Sequence, residues 1–176
     1  GQGGRVAVVA GHRVSWRDGA TGRAAGEPDE GIEGDVVAAS PRAPRTAVGI
    51  GDGLIALFDA GGVRLGELRG HRSRITSLAF SRDGLRLASA AEDQTVRVWD
   101  VAARKELKGL RTSSEGSEAS ARAVALSPDG TAVAYGGEGP DVIVRAVGSG
   151  DVVRRLSWAG APIRRLEFSP DGAWLL

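Results

Sequence analysis

The chain has 176 residues, of which 41% are hydrophobic and 26% are charged, and its 23 basic and 22 acidic residues leave a formal net charge of +1. This composition is typical of an ordinary folded domain, and the balanced charge gives no overall field that would attract nucleic acid or an anionic membrane. The chain has no cysteine, which excludes disulfide bonds and thiolate metal sites.

The composition also indicates a source and a compartment. All basic residues except Lys105 and Lys108 are arginine, and with abundant alanine, glycine and aspartate this indicates a bacterial protein encoded by a GC-rich genome. The sequence begins at Gly1 without a methionine or a signal-peptide pattern. No uncharged apolar run approaches the roughly 18 residues that a membrane-spanning helix needs. We therefore expect a fragment of a longer, cytoplasmic protein.

Short segments rich in Val, Ile, Leu and Ala alternate with turn residues along the chain, a pattern that predicts an all-β fold. The first predicted strands are Arg5–Ala10, His12–Arg17 and Gly22–Gly26. The next four are Val36–Ala39, Thr46–Ile50, Leu54–Phe58 and Val63–Leu68, and the four after them are Ile75–Phe80, Leu85–Ala90, Thr95–Trp99 and Lys105–Leu110. The last are Arg122–Leu126, Ala132–Gly136, Val142–Arg145, Asp151–Leu156, Ile163–Phe168 and Ala173–Leu176.

These strands repeat in units of four. The turn Ser81-Arg82-Asp83-Gly84 recurs as Ser-Pro-Asp-Gly at residues 127–130 and 169–172, and a degraded copy occupies residues 40–43. The four turn serines are separated by 41, 46 and 42 residues, close to the roughly 40–45 residues of a four-stranded propeller blade. Proline, aspartate and glycine suit successive positions of a tight turn. The period therefore predicts a repeat protein built from four-stranded units.

One unit combines Gly70-His71, the turn at 81–84 and Trp99-Asp100, and in that order it resembles a blade of the WD-repeat β-propeller family. The resemblance implies four-stranded antiparallel blades at 36–68, 75–110 and 122–156, with partial blades at 5–26 and 163–176. Residues 1–176 would then form a single partial propeller with both ends inside blades. Four periods could close a four-bladed ring, but two segments would compete for one strand position, which favours a piece of a larger propeller.

The resemblance also assigns four side chains to a hydrogen-bonded network within one blade, namely His71, Ser89, Asp93 and Trp99. A buried imidazole needs a defined tautomer, which a carboxylate and a hydroxyl can fix. No nucleophile elbow accompanies this Ser/His/Asp set, so we interpret it as structural. The equivalent positions are Glu30, Val48, Asp52 and Phe58 in the preceding blade and Ser117, Tyr135, Gly139 and Arg145 in the following one. Those blades are expected to depend on apolar packing and turn chemistry.

Family geometry further implies a face formed by the loops that lead into each first strand and by the loops between the second and third strands. The candidate partner-binding residues on this top face are Arg72, Arg74, Glu92, Arg122, Glu138 and Trp158. Arginine is favoured at interfaces because its planar fork binds carboxylates and stacks on aromatic rings. A solvated charged rim is an equally good interpretation of these residues.

Metal and cofactor sites are not expected. The chain has two histidines far apart and no cysteine, which do not make a zinc site. His12 falls between two predicted strands, as an exposed turn residue would. The acidic stretch at 27–35 matches no calcium-loop pattern and is interpreted as a solvated loop between blades.

Two functions remain open. The first is a non-enzymatic scaffold for protein partners, part of a larger multidomain bacterial signalling or regulatory protein, with no role for nucleic acid or membrane. The second is a ligand-binding, metal-binding or enzymatic propeller with its site in the central channel. That alternative needs His, Asp or Glu residues converging at the starts of the first strands, which instead begin with Val36, Ile75, Arg122 and Ile163. Unpaired strand edges at both ends also predict oligomers.

Overall fold

A computed structural model describes residues 5–10, 12–18, 20–21, 23, 32–112, 120–157 and 162–176. In these ranges the regular elements are all β-strands. The first seven are β1 (Arg5–Ala10), β2 (Arg13–Asp18), β3 (Ile32–Glu33), β4 (Val36–Ala39), β5 (Arg45–Ile50), β6 (Leu54–Asp59) and β7 (Arg64–Leu68). The other eight are β8 (Ile75–Phe80), β9 (Arg86–Ala91), β10 (Thr95–Asp100), β11 (Lys105–Arg111), β12 (Ala121–Leu126), β13 (Ala132–Gly137), β14 (Asp141–Ala146) and β15 (Val152–Ser157). A search of these ranges for a helix able to cross a membrane found none.

The strands form successive antiparallel meanders. Strands β4–β7, β8–β11 and β12–β15 each make a four-stranded sheet in which sequence neighbours pair, and β1–β3 make a three-stranded one. Short hairpin turns permit this pairing, whereas parallel neighbours would require long crossovers. The prediction of an all-β fold with four-stranded antiparallel blades is confirmed.

The sheets stack face to face, and the core lies between them. Leu57 and Leu68 of one sheet share a buried cluster with Leu78 and Trp99 of the next. A second cluster joins β8–β11 to β12–β15 and includes Val98 and Leu126, among other residues. Because each middle sheet is covered on both faces, most inner positions of its central strands are buried. The first strands β4, β8 and β12 lie side by side.

The first sheet differs from the prediction. Its third described strand is Ile32–Glu33, which pairs with β2, and not Gly22–Gly26. Arg23 has no regular structure, and the other residues of that predicted strand lie outside the described ranges. The segment 22–26 has no β-branched residue, so it has little strand propensity. The Gly34 amide also donates to the His12 carbonyl at 2.8 Å, which extends the pairing beyond Ile32–Glu33.

The segment 162–176 is less regular than predicted. Instead of two strands, it contains a single bridge between Phe168 and Leu175. Glu167 and Leu176 exchange two backbone hydrogen bonds of 2.9 Å beside that bridge. The segment is held mainly by packing, because Ile163, Phe168 and other apolar residues cover the buried face of β13 and β14.

The repeated turns share one hydrogen-bond pattern. Ser81 Oγ donates to Asp83 Oδ1 at 2.6 Å, and Ser127 Oγ donates to Asp129 Oδ1 at the same distance. These serine hydroxyls, together with backbone amides, lower the pKa of both aspartates. Gly84 follows at φ +74°, a left-handed conformation that favours glycine. The same turn therefore closes the first hairpin of successive sheets.

Candidate functional site

The imidazole of His71 lies between β9 and the turn that precedes β10. Its Nδ1 atom is 2.9 Å from Asp93 Oδ2, and its Nε2 atom is 2.7 Å from Ser89 Oγ. The indole of Trp99 donates from Nε1 to the same Ser89 Oγ at 2.8 Å. Ser89 on β9 and Trp99 on β10 are strand residues, so the pleat fixes both side chains on one face.

The charged carboxylate assigns the protons of the network. Asp93 can only accept, so His71 Nδ1–H donates to it, and His71 Nε2 then accepts from the Ser89 hydroxyl, whose oxygen accepts from Trp99. Asp93 also accepts from the Thr95 hydroxyl at 2.7 Å and from the Arg72 amide at 2.9 Å. Each polar group of the network thus has a partner, which the low dielectric of a buried site requires.

The pKa shifts agree with a neutral imidazole and a charged carboxylate. Burial lowers the pKa of His71 below its ordinary value, although the hydrogen bond and charge of Asp93 oppose the shift. Burial alone would raise the pKa of Asp93, but hydrogen bonds from Thr95, the Arg72 amide and His71 outweigh it and lower that pKa. The charge state of the network is therefore fixed near neutral pH.

Burial separates this Ser/His/Asp set from any substrate. Ser89 is 0% exposed, Trp99 is 1% exposed, and the His71 side chain is 0% exposed. The Trp99 indole N–H donates to Ser89 Oγ and so engages the oxygen that would act as a nucleophile. This arrangement can hold two strands and a loop together, and it offers no reacting atom to a substrate.

The equivalent positions in the neighbouring sheets show two different replacements. Val48 and Phe58 occupy the Ser89 and Trp99 positions of the preceding sheet, where both are buried and apolar. In the following sheet Arg145 Nε donates to Tyr135 Oη at 2.9 Å. The expectation that both neighbouring sheets depend only on apolar packing and turns is wrong for the second. In that sheet the guanidinium of Arg145 and the phenol of Tyr135 make the interstrand hydrogen bond that Trp99 and Ser89 make in the sheet before it.

Four of the top-face candidates form two ion pairs. Arg74 Nη2 lies 2.8 Å from Glu92 Oε1, and Arg122 pairs with Glu138 through Nε. Glu92 and Glu138 each lie 11 residues after a turn serine and so occupy corresponding places in successive sheets, whereas Arg74 and Arg122 precede their turn serines by 7 and 5 residues. All four side chains are about half exposed.

The other two candidates are placed differently. Arg72 is exposed, and its described interaction with the network is through the backbone amide rather than the guanidinium. Trp158 lies outside the described residues.

Arg74 and Arg122 also line a cavity of about 190 Å³ together with Arg164, Asp35 and Thr76. The last three were not assigned to the top face from the sequence. Their spacing could have predicted that they lie together, because each precedes a turn serine by five residues, as Arg122 does. These equivalent residues are Asp35, Thr76, Arg122 and Arg164. They therefore mark the start of the first strand in successive sheets. We call the cavity formed by Asp35, Arg74, Ile75, Thr76, Arg122 and Arg164 the channel mouth.

His12 contributes to the surroundings of the channel mouth. Its side chain is 78% exposed, as expected for a turn residue, but its Nδ1 atom lies 2.5 Å from Asp35 Oδ1. Asp35 also acts on Arg74, whose pKa is raised first by the hydrogen bond to Glu92 and further by both carboxylates. Three arginines and one aspartate thus line this opening, and Glu92 and Glu138 pair with two of the arginines.

A larger cavity of about 600 Å³ lies along the first strands β4, β8 and β12 and residues 164–170. It corresponds to the central channel required by the ligand-binding alternative. Its charged lining residues are Arg82, Arg164, Arg165 and Glu167. Within the described ranges, no group of three or more His, Asp or Glu residues is placed to hold a metal ion. The convergent ligands that the alternative requires are not found in those ranges.

Four-stranded antiparallel sheets stacked around a shared set of first strands define the blades of a β-propeller. Residues 62–100 match the family model for the WD domain, G-beta repeat. That segment includes the whole His71 network, and the WD-repeat resemblance is supported there.

Curated relatives give longer but partial matches. Rice small ribosomal subunit protein RACK1y is 34% identical over 112 residues, which are 62% of this chain and 32% of the relative. Autophagy-related protein 16 of Arabidopsis thaliana is 31% identical over 122 residues, which are 69% of this chain and 24% of the relative. Eukaryotic translation initiation factor 3 subunit I of Scheffersomyces stipitis is 31% identical over 111 residues, which are 62% of this chain and 30% of the relative.

The chain spans about a quarter to a third of the length of these relatives. All three come from eukaryotes, so they give no support to the bacterial source that the composition indicates.

Proposed function

We propose that this chain is part of a WD-repeat propeller that serves as a non-enzymatic scaffold for protein partners. The observation that carries the proposal is the burial of the Ser89, His71 and Asp93 set beneath Trp99. The side chains best suited to chemistry are used to hold one blade together. What the blades offer to solvent is a rim of charged side chains at fixed spacing, which is suited to recognition.

The printed names of the relatives support this direction. The rice relative is named as a protein of the small ribosomal subunit, and the yeast relative is named as a subunit of an initiation factor. Both names describe components of larger assemblies. By analogy of fold, this chain would contribute a rigid surface to an assembly of its own.

The wider context belongs to the same proposal. We infer a larger multidomain regulatory protein in the bacterial cytoplasm, whose partners are proteins and not nucleic acid or membranes. The net charge of +1 supports the choice of protein partners. Oligomerisation through strand edges stays a prediction, and light scattering on the purified chain tests it.

The experiment is an affinity purification with the intact protein from its source cells, followed by quantitative mass spectrometry. We expect a small set of proteins to be enriched over a tagged control of unrelated fold. The same preparation is screened for hydrolase activity with and without added divalent metal. Turnover that persists through purification and disappears when the channel residue Glu167 is changed to Gln would refute the scaffold proposal.

A further inference from the structure

The channel mouth brings three guanidinium groups from three successive repeats to one cavity. Arg74 precedes β8, Arg122 lies in β12, and Arg164 lies in the segment that follows β15. The cavity measures about 190 Å³, which is enough space for a carboxylate side chain with water around it. Its remaining lining is Asp35, Ile75 and Thr76.

Most donors of these arginines are not used inside the described part of the protein. Arg122 meets Glu138 through Nε, which leaves both of its terminal nitrogens without a described partner. Arg74 uses Nε and Nη2 on a single oxygen of Glu92. Arg164 has neither an ion pair nor a hydrogen bond with any residue that the structure describes. A guanidinium carries five N–H donors in a fork that fits a carboxylate, so the three groups retain capacity for further acceptors.

The existing ion pairs do not block a ligand. Arg74 and Glu92 have side chains 48% and 44% exposed, and Arg122 and Glu138 have side chains 49% and 47% exposed. Exposed pairs of this kind are weak and exchange readily with solvent or with another acceptor. The glutamates therefore orient the guanidiniums and leave Nη1 of Arg74 and both terminal nitrogens of Arg122 without a described partner.

The lining also decides between classes of partner. Binding of single-stranded nucleic acid uses aromatic side chains on which bases stack, and none of the residues lining the channel mouth is aromatic. Asp35 would also repel a phosphate backbone. A peptide carries separate carboxylates that can face the arginines and avoid Asp35.

We propose that the channel mouth binds an acidic segment of a partner protein, whose Asp or Glu side chains are held by Arg74, Arg122 and Arg164. This inference rests on the scaffold function proposed above and names the chemistry of the partner. The segment enters as an extended acidic stretch, and its carboxylates make bidentate contacts with the arginines.

The test uses a fluorescein-labelled peptide of ten glutamates, and anisotropy measures its binding to the purified chain at low and at moderate salt. The triple variant R74Q/R122Q/R164Q should weaken binding about tenfold or more and reduce its salt dependence. The control variant R42Q/R64Q/R154Q makes the same change in net charge at other exposed positions and should bind as the wild type does. Thermal unfolding should show that both variants are folded.

Three results of the binding measurements would overturn the proposal. They are no binding of the peptide by the wild-type chain at low salt, an equal loss in the control variant, and binding of inorganic phosphate at the same arginines with an affinity that matches the peptide. The last outcome would identify a site for small anions. The triple variant is also used in the affinity purification. If it retains the same partner proteins, the scaffold function stands and the acidic-segment proposal fails.

Discussion

The substitution Ser89→Ala tests the buried network most directly. Ser89 Oγ accepts the Trp99 indole hydrogen at 2.8 Å and lies 2.7 Å from His71 Nε2. Alanine removes only the hydroxyl and keeps the Cβ, so neither packing nor strand propensity changes much. The neighbouring strand residues Ala88 and Ala90 already show that alanine is accommodated there.

The expected cost follows from the two groups that lose their partner. Ser89 is 0% exposed, and the void left by one oxygen is too small to admit a hydrogen-bonding water. A buried polar group without a partner costs about 1–3 kcal/mol, so the two groups together should lower the free energy of unfolding by about 2–6 kcal/mol. At about 2–4 °C per kcal/mol for a domain of this size, the melting temperature should fall by about 4–24 °C.

Urea and thermal unfolding of the purified chain provide the measurement. Ser149→Ala is the matched control, because that serine is exposed, and it should change stability by no more than about 0.5 kcal/mol. A cycle with Trp99→Phe isolates the Ser89–Trp99 bond, because the two substitutions should not be additive. A loss below about 1 kcal/mol for Ser89→Ala, or additive effects in the cycle, would refute the network as an energetic unit.

The other predictions concern the same blade and its turns. Asp93→Ala leaves the His71 Nδ1–H without its acceptor and should cost roughly 1–3 kcal/mol, and an unchanged melting temperature would contradict this. The lowered pKa of His71 means that the unfolded chain binds a proton more readily, so stability is full above pH 6.5 and falls as the pH drops below it. Thermal unfolding between pH 8 and pH 5 measures that slope, which His71→Gln should flatten. Gly84→Ala should destabilise more than Gly172→Ala in urea unfolding, since their φ angles are +74° and +73° but only the Gly84 Cβ would lie 2.2 Å from Ser40 Oγ. Equal losses would show that left-handed strain alone decides.

Strand content and turn positions were accessible from the sequence because they depend on local chemistry. Serine, aspartate and glycine at fixed offsets make the same turn wherever they occur, as Ser81 and Ser127 do. The third strand of the first sheet depends instead on which of two distant segments reaches β2. The segment 22–26 has no β-branched residue and Ile32–Glu33 is only two residues long, so strand propensity is weak in both and tertiary pairing decides.

The site was accessible in part for a related reason. The family pattern assigned His71, Ser89, Asp93 and Trp99 to one network, and the structure places their polar atoms at hydrogen-bond distances; the energetic role of that network stays a prediction. The family pattern does not predict the Arg145–Tyr135 hydrogen bond. In this sheet both positions differ from the pattern, because arginine stands at the tryptophan position and tyrosine at the serine position. The channel mouth was missed because its members are far apart in sequence, and only the register of the first strands brings them together.

The contact between Arg145 and Tyr135 bears on how the repeats of such a chain are recognised from its sequence. The slot filled by Trp99 in one sheet is filled by Phe58 in the sheet before it and by Arg145 in the sheet after it. The backbone tolerates an indole, a benzyl group or a guanidinium there as long as the volume is occupied and any donor is satisfied. The sequence motif of a repeat can therefore be absent while the four-stranded sheet is kept. The family model matches residues 62–100, which contain β7 to β10, whereas the chain also has the strands β4–β6 and the whole sheet β12–β15.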